Sequence, residues 1–315
     1  MTELAAQTMP VLHALAGIRS GALNSVMGLI TYLGDEKVFV IIGLIVLWCF
    51  SKRGGLYMLT VGFSISSVGQ ALKMLFRVAR PWVLEEGFGI VESARPGADG
   101  WSLPSGHTLV SVGTYGGMAA WFKHKGVRAL GIALAILVPF SRMYLGVHTP
   151  LDIALGAGLA LIAVFGLRGF FRKSGTTAVR SVLALNLLLA AVLMAVMSFQ
   201  RYTAPTAEDA ANWTSGIVNL WQLVGADAAI WLAYEVDERW LHYDTRAAWW
   251  AQLIKIAGGA ALVLALRTLG KKVFGSDGPG SALSNFISMG AACCLWPMTF
   301  KYFAKTAHIK EEEHL

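Results

Sequence analysis

Apolar residues recur along the chain in blocks near membrane-spanning length, separated by short turns rich in charge, glycine or proline. Windows able to run as helix through a hydrocarbon layer of about 30 Å predict nine spans. They lie near residues 37–50, 54–76, 105–122, 127–145, 150–170, 179–199, 214–234, 250–269 and 281–303. Ahead of them, Leu12, Leu15, Ile18, Ala22 and Val26 repeat at helical spacing between Pro10 and Leu33, but Arg19 falls in the middle. That pattern predicts a helix lying in the plane of the interface, with a tenth span as the alternative. No internal repeat, low-complexity tract or long linker interrupts the series. The expected fold class is therefore all-α, a polytopic transmembrane helical bundle of about nine spans. Its expected divisions are an N-terminal interfacial segment over 1–36, a transmembrane core over 37–200 and a C-terminal transmembrane extension over 201–315.

Composition agrees with this pattern: 56% of the 315 residues are hydrophobic and 14% charged, which leaves too little polar surface for a water-soluble fold of this size. The formal charge of +7 raises the question of nucleic acid, but a membrane protein gathers such an excess in its cytoplasmic loops. The bilayer is the expected partner and nucleic acid is not. Cys49, Cys293 and Cys294 all lie in apolar runs, so no disulfide framework or cysteine metal site is expected. The first residues lack a basic start followed by a continuous apolar core, and no cleaved secretory signal is expected.

The basic residues also predict sidedness. One set of turns holds Lys52 and Arg53, then Lys123, Lys125 and Arg128, then Arg168, Arg172, Lys173 and Arg180, then Arg239 and Arg246, with Lys305 and Lys310 in the tail. Arg267, Lys271 and Lys272 stand against a clean split. The positive-inside tendency puts the richer set in the cytoplasm. With nine spans the N-terminus is then outside, and the stretch WSLPSGH from 101 to 107 faces away from the cytoplasm.

Three clusters fall on that outer side. Lys73, Arg77 and Arg80, spaced i, i+4 and i+7, are predicted to stack along one helix face before Pro81 ends the helix. Ser105, Gly106 and His107 follow Pro104 at a helix start, where free amides and a capping hydroxyl attract anions. In SRMYLGVHTPLD, Arg142 closes the fourth span, Gly146 breaks the chain, and His148 and Asp152 bracket Pro150. If the fifth helix begins by His148, four-residue spacing lets the carboxylate reach one ring nitrogen and leaves the other as a free lone pair. Each cluster alone has a structural reading: snorkelling cations, an ordinary helix cap, a structural histidine. Together they supply cations, amides, two histidines and an aspartate on one face, the makings of a phosphate pocket with catalytic groups attached.

The three segments, KMLFRVARP from Lys73 to Pro81, PSGH from Pro104 to His107 and SRMYLGVHTPLD from Ser141 to Asp152, resemble the signature of the phosphatidic acid phosphatase type 2 superfamily in order and internal spacing. That superfamily also includes bacterial acid phosphatases, glucose-6-phosphatases and vanadium haloperoxidases. The resemblance covers about residues 37 to 170. It implies that His148 attacks phosphorus, that Asp152 orients it and that His107 protonates the departing oxygen. Lys73, Arg80, Ser105, Gly106 and Arg142 would hold the phosphate oxygens; Arg77 has no counterpart in the signature. No metal or other cofactor is implied, and the sequence shows no carboxylate cluster suited to magnesium.

The expected activity is hydrolysis of a lipid phosphate or polyprenyl pyrophosphate at the extracytoplasmic rim, by a multi-pass protein of a bacterial inner membrane. Phosphotransfer to an alcohol, hydrolysis of a sugar phosphate, and a non-catalytic lipid carrier or scramblase are the alternatives. Trp82 and Trp101 suit an interfacial aromatic belt. Asp227, an acid inside the seventh span, reads as a packing or hydrogen-bonding residue ahead of a functional one.

Overall fold

The structure, a computed structural model, describes residues 1–312 and, within them, consists of helices and connecting turns without strands. Three short helices precede the bundle: α1 (Thr2–Ala6), α2 (Met9–Ala16) and α3 (Gly21–Tyr32). The last two replace the single helix that the Pro10 to Leu33 pattern predicts. The break between them follows from Ser20, an extended residue whose hydroxyl caps α3 by accepting from the Leu23 amide. Arg19, in the break, donates to the carbonyls of Tyr144 (2.9 Å) and Gly89 (2.7 Å). With 12 residues, α3 reaches only about 18 Å, short of a bilayer crossing.

The chain continues through α4 (Glu36–Cys49), α5 (Lys52–Phe76) and α6 (Pro81–Leu84). Next, α7 (Gly106–Ser111) runs through a wider π-type turn at Val112–Gly116 into α8 (Gly117–Trp121). After these come α9 (Lys125–Tyr144), α10 (Pro150–Lys173) and α11 (Thr176–Phe199). The C-terminal third holds α12 (Ala207–Val236), α13 (Trp249–Phe274), α14 (Gly278–Gly290) and α15 (Phe300–Glu312).

By length and composition, six helical stretches among the described residues can cross a membrane: Lys52–Leu84, Lys125–Tyr144, Pro150–Lys173, Thr176–Phe199, Ala207–Leu241 and Trp249–Phe274. They coincide with six of the nine windows. The window at 37–50 falls on a 14-residue helix. Those at 105–122 and 281–303 fall on helical runs whose regular turns are interrupted at Val112–Gly116 and Ala291–Leu295.

At the centre of the bundle α5 touches α4, α7, α10, α11 and α12, and Tyr57, Leu59 and Val61 on it are wholly buried. The C-terminal helices join this core through α12, which packs on α5, α11 and α14. Close approach requires Gly225 there, because a Cβ on it would stand 2.1 Å from the Ala282 carbonyl oxygen of α14.

Polar ties reinforce the join, as expected where water cannot compete. Asn186 donates to Asp227 Oδ1 at 2.8 Å and accepts from the Ser64 hydroxyl. The fully buried Lys255 ammonium donates to the carbonyls of Trp48 (2.6 Å) and Thr245 (3.0 Å). Asp227 therefore packs at a helix junction, while Trp101 departs from its expected place in an interfacial belt. It is buried, set edge-on against Tyr202 and Trp213, and donates to Asp209 at 3.2 Å.

Candidate active site

The first cluster is reached by a turn, not by one helix face. The helix α5 ends at Phe76, and Arg77 takes a left-handed conformation (φ 49°) with its amide on the Lys73 carbonyl. Proline at 81 disfavours helical geometry at the residue before it, and Arg80 is extended, capping α6. The predicted stack of three cations is thereby undone. Arg77 swings away to lie over the Tyr202 ring at 4.8 Å, while Arg80 turns inward and is buried. Its guanidinium is held by the carbonyls of Gly100 (2.9 Å), Asp99 (2.6 Å) and Val147 (3.1 Å), and its Nη1 also stands 2.8 Å from His148 Nε2.

In the second cluster Ser105 caps α7, its hydroxyl accepting from the Thr108 amide at 3.3 Å. Its own amide donates to the Asp152 carbonyl at 3.2 Å and so ties α7 to α10. A Cβ on Gly106 would stand 3.7 Å from Lys73 Nζ, which puts the ammonium over the start of the helix. A Cβ on Gly97 would meet His107 Nε2 at 3.8 Å and Arg142 Nη1 at 3.9 Å, so these two side chains converge on that backbone. Arg142, wholly buried, donates to the Gly97 carbonyl (2.8 Å) and to the Thr31 hydroxyl (2.9 Å).

The third cluster also differs in detail from its prediction. Gly146 turns the chain at φ 82°, and α10 begins at Pro150 with Thr149 as its cap. His148 thus precedes the helix instead of starting it. What brings the pair together is a capping box: Thr149 Oγ1 accepts the Asp152 amide while Asp152 Oδ2 accepts the Thr149 amide at 2.7 Å. The same carboxylate oxygen accepts from Ser102 Oγ at 2.6 Å and stands 3.4 Å from His148 Nδ1.

These contacts assign the ring proton. Arg80 Nη1 stands 2.8 Å from Nε2 and 3.4 Å from Nδ1, while Nδ1 stands 3.4 Å from the Asp152 carboxylate and 3.3 Å from Ser102 Oγ. An ionised carboxylate only accepts, so the proton is assigned to Nδ1, facing Asp152, and the lone pair to Nε2. Burial, and then the neighbouring Arg80, Arg142 and Lys73 charges, hold the His148 imidazole well below the ordinary histidine range. It is neutral at pH 7, with Nε2 as the free base.

Lys73, Arg80, Gly106, His107 and His148 line one cavity of about 460 Å³. Ser105, Arg142 and Asp152 are fully buried and bonded to its walls. Ser102, Thr149 and Thr31 hold site residues but are absent from the sequence-based reading. Thr149 was legible as the start of a Thr-x-x-Asp capping box, and Ser102 lies in the WSLPSGH stretch itself; nothing local marks Thr31, which arrives from α3. Among the described residues no group of three or more His, Cys, Asp or Glu side chains is placed to hold a metal ion.

Comparison with known proteins adds an independent line. The profile of the PAP2 superfamily matches residues 54–176, and that of the PAP2 superfamily phosphatase, transmembrane extension, matches residues 221–307. An undecaprenyl-diphosphatase of Sulfolobus acidocaldarius is 32% identical over 136 residues, covering 42% of this chain and 64% of that protein. Phosphatidylglycerophosphatase B of Bacillus subtilis is 31% identical over 175 residues, covering 50% of this chain and 79% of that protein. The chain thus spans just under two thirds of the first relative's length. No solved structure matches it significantly.

Proposed function

The chain belongs to the PAP2 superfamily, and on that premise we propose that it is a membrane phosphatase acting on a lipid phosphate or polyprenyl pyrophosphate through a phosphohistidine, with no metal. The observation that carries this reading is the convergence of the neutral His148 Nε2, the Arg80 guanidinium, the Lys73 ammonium and the His107 ring on one cavity. The names of the two relatives, an undecaprenyl-diphosphatase and a phosphatidylglycerophosphatase, support the substrate class.

The proposed reaction runs in two halves. A phosphate entering the cavity takes over the Arg80 hydrogen bond, which releases the Nε2 lone pair for attack. The nitrogen–phosphorus bond forms as the bond to the leaving oxygen breaks, and His107 transfers its proton to that oxygen. The substrate's own negative charge balances a protonated His107 among the surrounding cations. Asp152, its Oδ2 held by Ser102 and the Thr149 amide, stabilises the charge that develops on the His148 ring. Lys73, Arg80, Arg142, the Gly106 amide and the Ser105 hydroxyl hydrogen meet the equatorial oxygens where charge builds. Water then attacks phosphorus, giving a proton to His107, and the nitrogen–phosphorus bond breaks to release inorganic phosphate and neutral His148.

The proposed site lies at the extracytoplasmic rim, where a phosphate headgroup meets water while its tail stays in hydrocarbon. Residues 37–200 would form the catalytic core, 1–36 an interfacial segment and 201–315 an extension of that core. Phosphate release from detergent-solubilised protein, with and without chelator and beside His148→Ala, tests the reading. Release unaffected by chelator and abolished in the variant is the expected result. A protein that releases nothing from lipid, prenyl or sugar phosphates yet moves lipid across vesicles is a carrier, and the reading falls.

A further inference from the structure

Two of the three carbonyls that hold the Arg80 guanidinium, those of Asp99 and Gly100, belong to one strap of chain, residues 99–102. The strap also meets the segment that leads to Arg80, because the Ser102 amide donates to the Val78 carbonyl at 2.8 Å. Its Ser102 hydroxyl reaches Asp152 at 2.6 Å. The same four residues thus serve both sides of the His148 ring.

Where it holds the guanidinium, the strap has little packing of its own. Asp99 is exposed, and Gly100 is half-buried and turns the chain at φ 69°, in the left-handed region that glycine enters without a Cβ clash. What fixes the strap is the next side chain. Trp101 is 5% exposed and sits edge-on to Tyr202 and Trp213, their ring centroids 6.2 and 6.5 Å away. Its indole N–H donates to Asp209 Oδ1 at 3.2 Å. Tyr202 and Trp213 stack on each other at 4.6 Å. Asp209 is itself held in the first turn of α12, where its other carboxylate oxygen accepts from the Thr206 hydroxyl at 2.8 Å.

The same cluster grips the other arm. Arg77, three residues before Arg80, stands in the left-handed region (φ 49°) with its guanidinium over the Tyr202 ring at 4.8 Å. A residue with a Cβ occupies that region at a cost and keeps it where the surroundings hold it. An arginine on an aromatic face supplies such a hold. The two segments that meet at Arg80, 77–80 and 99–102, are therefore both fastened to one aromatic cluster. Tyr202, Asp209 and Trp213 lie outside the three signature segments and outside both profile matches, so this brace is additional to the catalytic signature.

We infer that Tyr202, Asp209 and Trp213 are positioning residues for phosphoryl transfer: through Trp101 and Arg77 they fix the strap and the turn that hold the Arg80 guanidinium against His148. The inference rests on the phosphatase reading above and gives residues of the C-terminal third a part in it. None of the three lines the cavity, whereas Trp101 does. A misplacement of about 1 Å in an active site costs on the order of 100-fold in rate, so a brace that touches no substrate can still set the rate.

The experiment is a double-mutant cycle read in phosphate release from phosphatidate and from undecaprenyl diphosphate in mixed micelles. Tyr202→Leu is expected to lower kcat by about 10- to 100-fold with little change in KM. Asp209→Ala is expected to lower it by about 3- to 10-fold, the worth of one hydrogen bond. Tyr202→Phe keeps the ring and Asp209→Asn keeps an acceptor, and both are expected to retain most of the rate. The decisive readout is the Arg80→Lys background, in which Tyr202→Leu and Asp209→Ala are expected to cost little more, because the group they position is gone. A role in folded stability alone would carry its full loss into that background. If Tyr202→Leu fails to fold, Asp209→Ala, at a half-buried helix start, carries the cycle.

Losses of equal size in the wild-type and Arg80→Lys proteins overturn the inference, as do wild-type kinetics in both Tyr202→Leu and Asp209→Ala. A raised KM with unchanged kcat also overturns it, because the cluster then binds substrate. In each of these cases wild-type release stands, and so does the phosphatase reading. No release by the wild-type protein from either lipid removes both.

Discussion

Arg80 Nη1 stands 2.8 Å from Nε2 of His148 and 3.4 Å from its Nδ1, so an obligate donor lies against the nitrogen that is to act as nucleophile. The guanidinium is itself clamped by the carbonyls of Gly100, Asp99 and Val147. One group therefore fixes the ring's tautomer, positions it, and is on hand to receive a phosphate oxygen. Lysine presents a single ammonium without the planar fork. Arg80→Lys is expected to lower kcat/KM for phosphate release by about 100-fold or more, the scale of losing an oriented transition-state donor. Wild-type kinetics in this variant contradict the assignment.

The buried, cation-flanked His148 has its protonation pushed below the ordinary histidine range. Because the neutral ring is the reactive form, activity is lost as pH falls through this lowered value. The acid limb of kcat/KM is expected below about pH 6.5, the ordinary histidine value. The same sign applies to stability: the unfolded chain takes up the proton first, so acidification below that value disfavours the fold. A pH–rate profile with its acid limb above that value counts against His148 as the attacking base.

Ser102 donates to the carboxylate oxygen that faces the His148 ring, yet it does not line the cavity. It is a positioning residue. Ser102→Ala is expected to lower kcat about 10-fold with little change in KM, as loss of one hydrogen bond to a charged group predicts. Ser102→Thr keeps the donor and is expected to restore part of the rate. A rise in KM with unchanged kcat would instead place Ser102 in substrate binding.

Lys255 joins α13 to the carbonyls of Trp48 and Thr245, which ties the extension to α4. Lys255→Ala leaves two carbonyls without their donor and is expected to destabilise the protein by about 2–4 kcal/mol. Thermal unfolding in detergent measures this, and a variant as stable as wild type contradicts the structural role.

Much of this was legible because the signals are local. Six of the nine apolar windows, two histidines beside helix starts and one histidine–aspartate spacing lie within short stretches, and the helix class follows from apolar length alone. What was not legible depends on turns and on distant segments. The end of α5 at Phe76 hides in a sequence that continues its helical spacing to Arg80, and the left-handed turn at Arg77 is what redirects the two arginines. The His148–Asp152 contact was expected from helical geometry and is made by a cap instead, since Pro150 starts the helix two residues late.

A covalent bond between His148 and phosphorus can be trapped and located. Protein mixed with substrate labelled in its phosphoryl group is quenched in alkali, which preserves a phosphoramidate, and the label is mapped by peptide. Label is expected on the peptide carrying His148 in wild type and none in His148→Ala, whose phosphate release is also lost. Label on another residue, or a His148→Ala variant that releases phosphate at the wild-type rate, contradicts it.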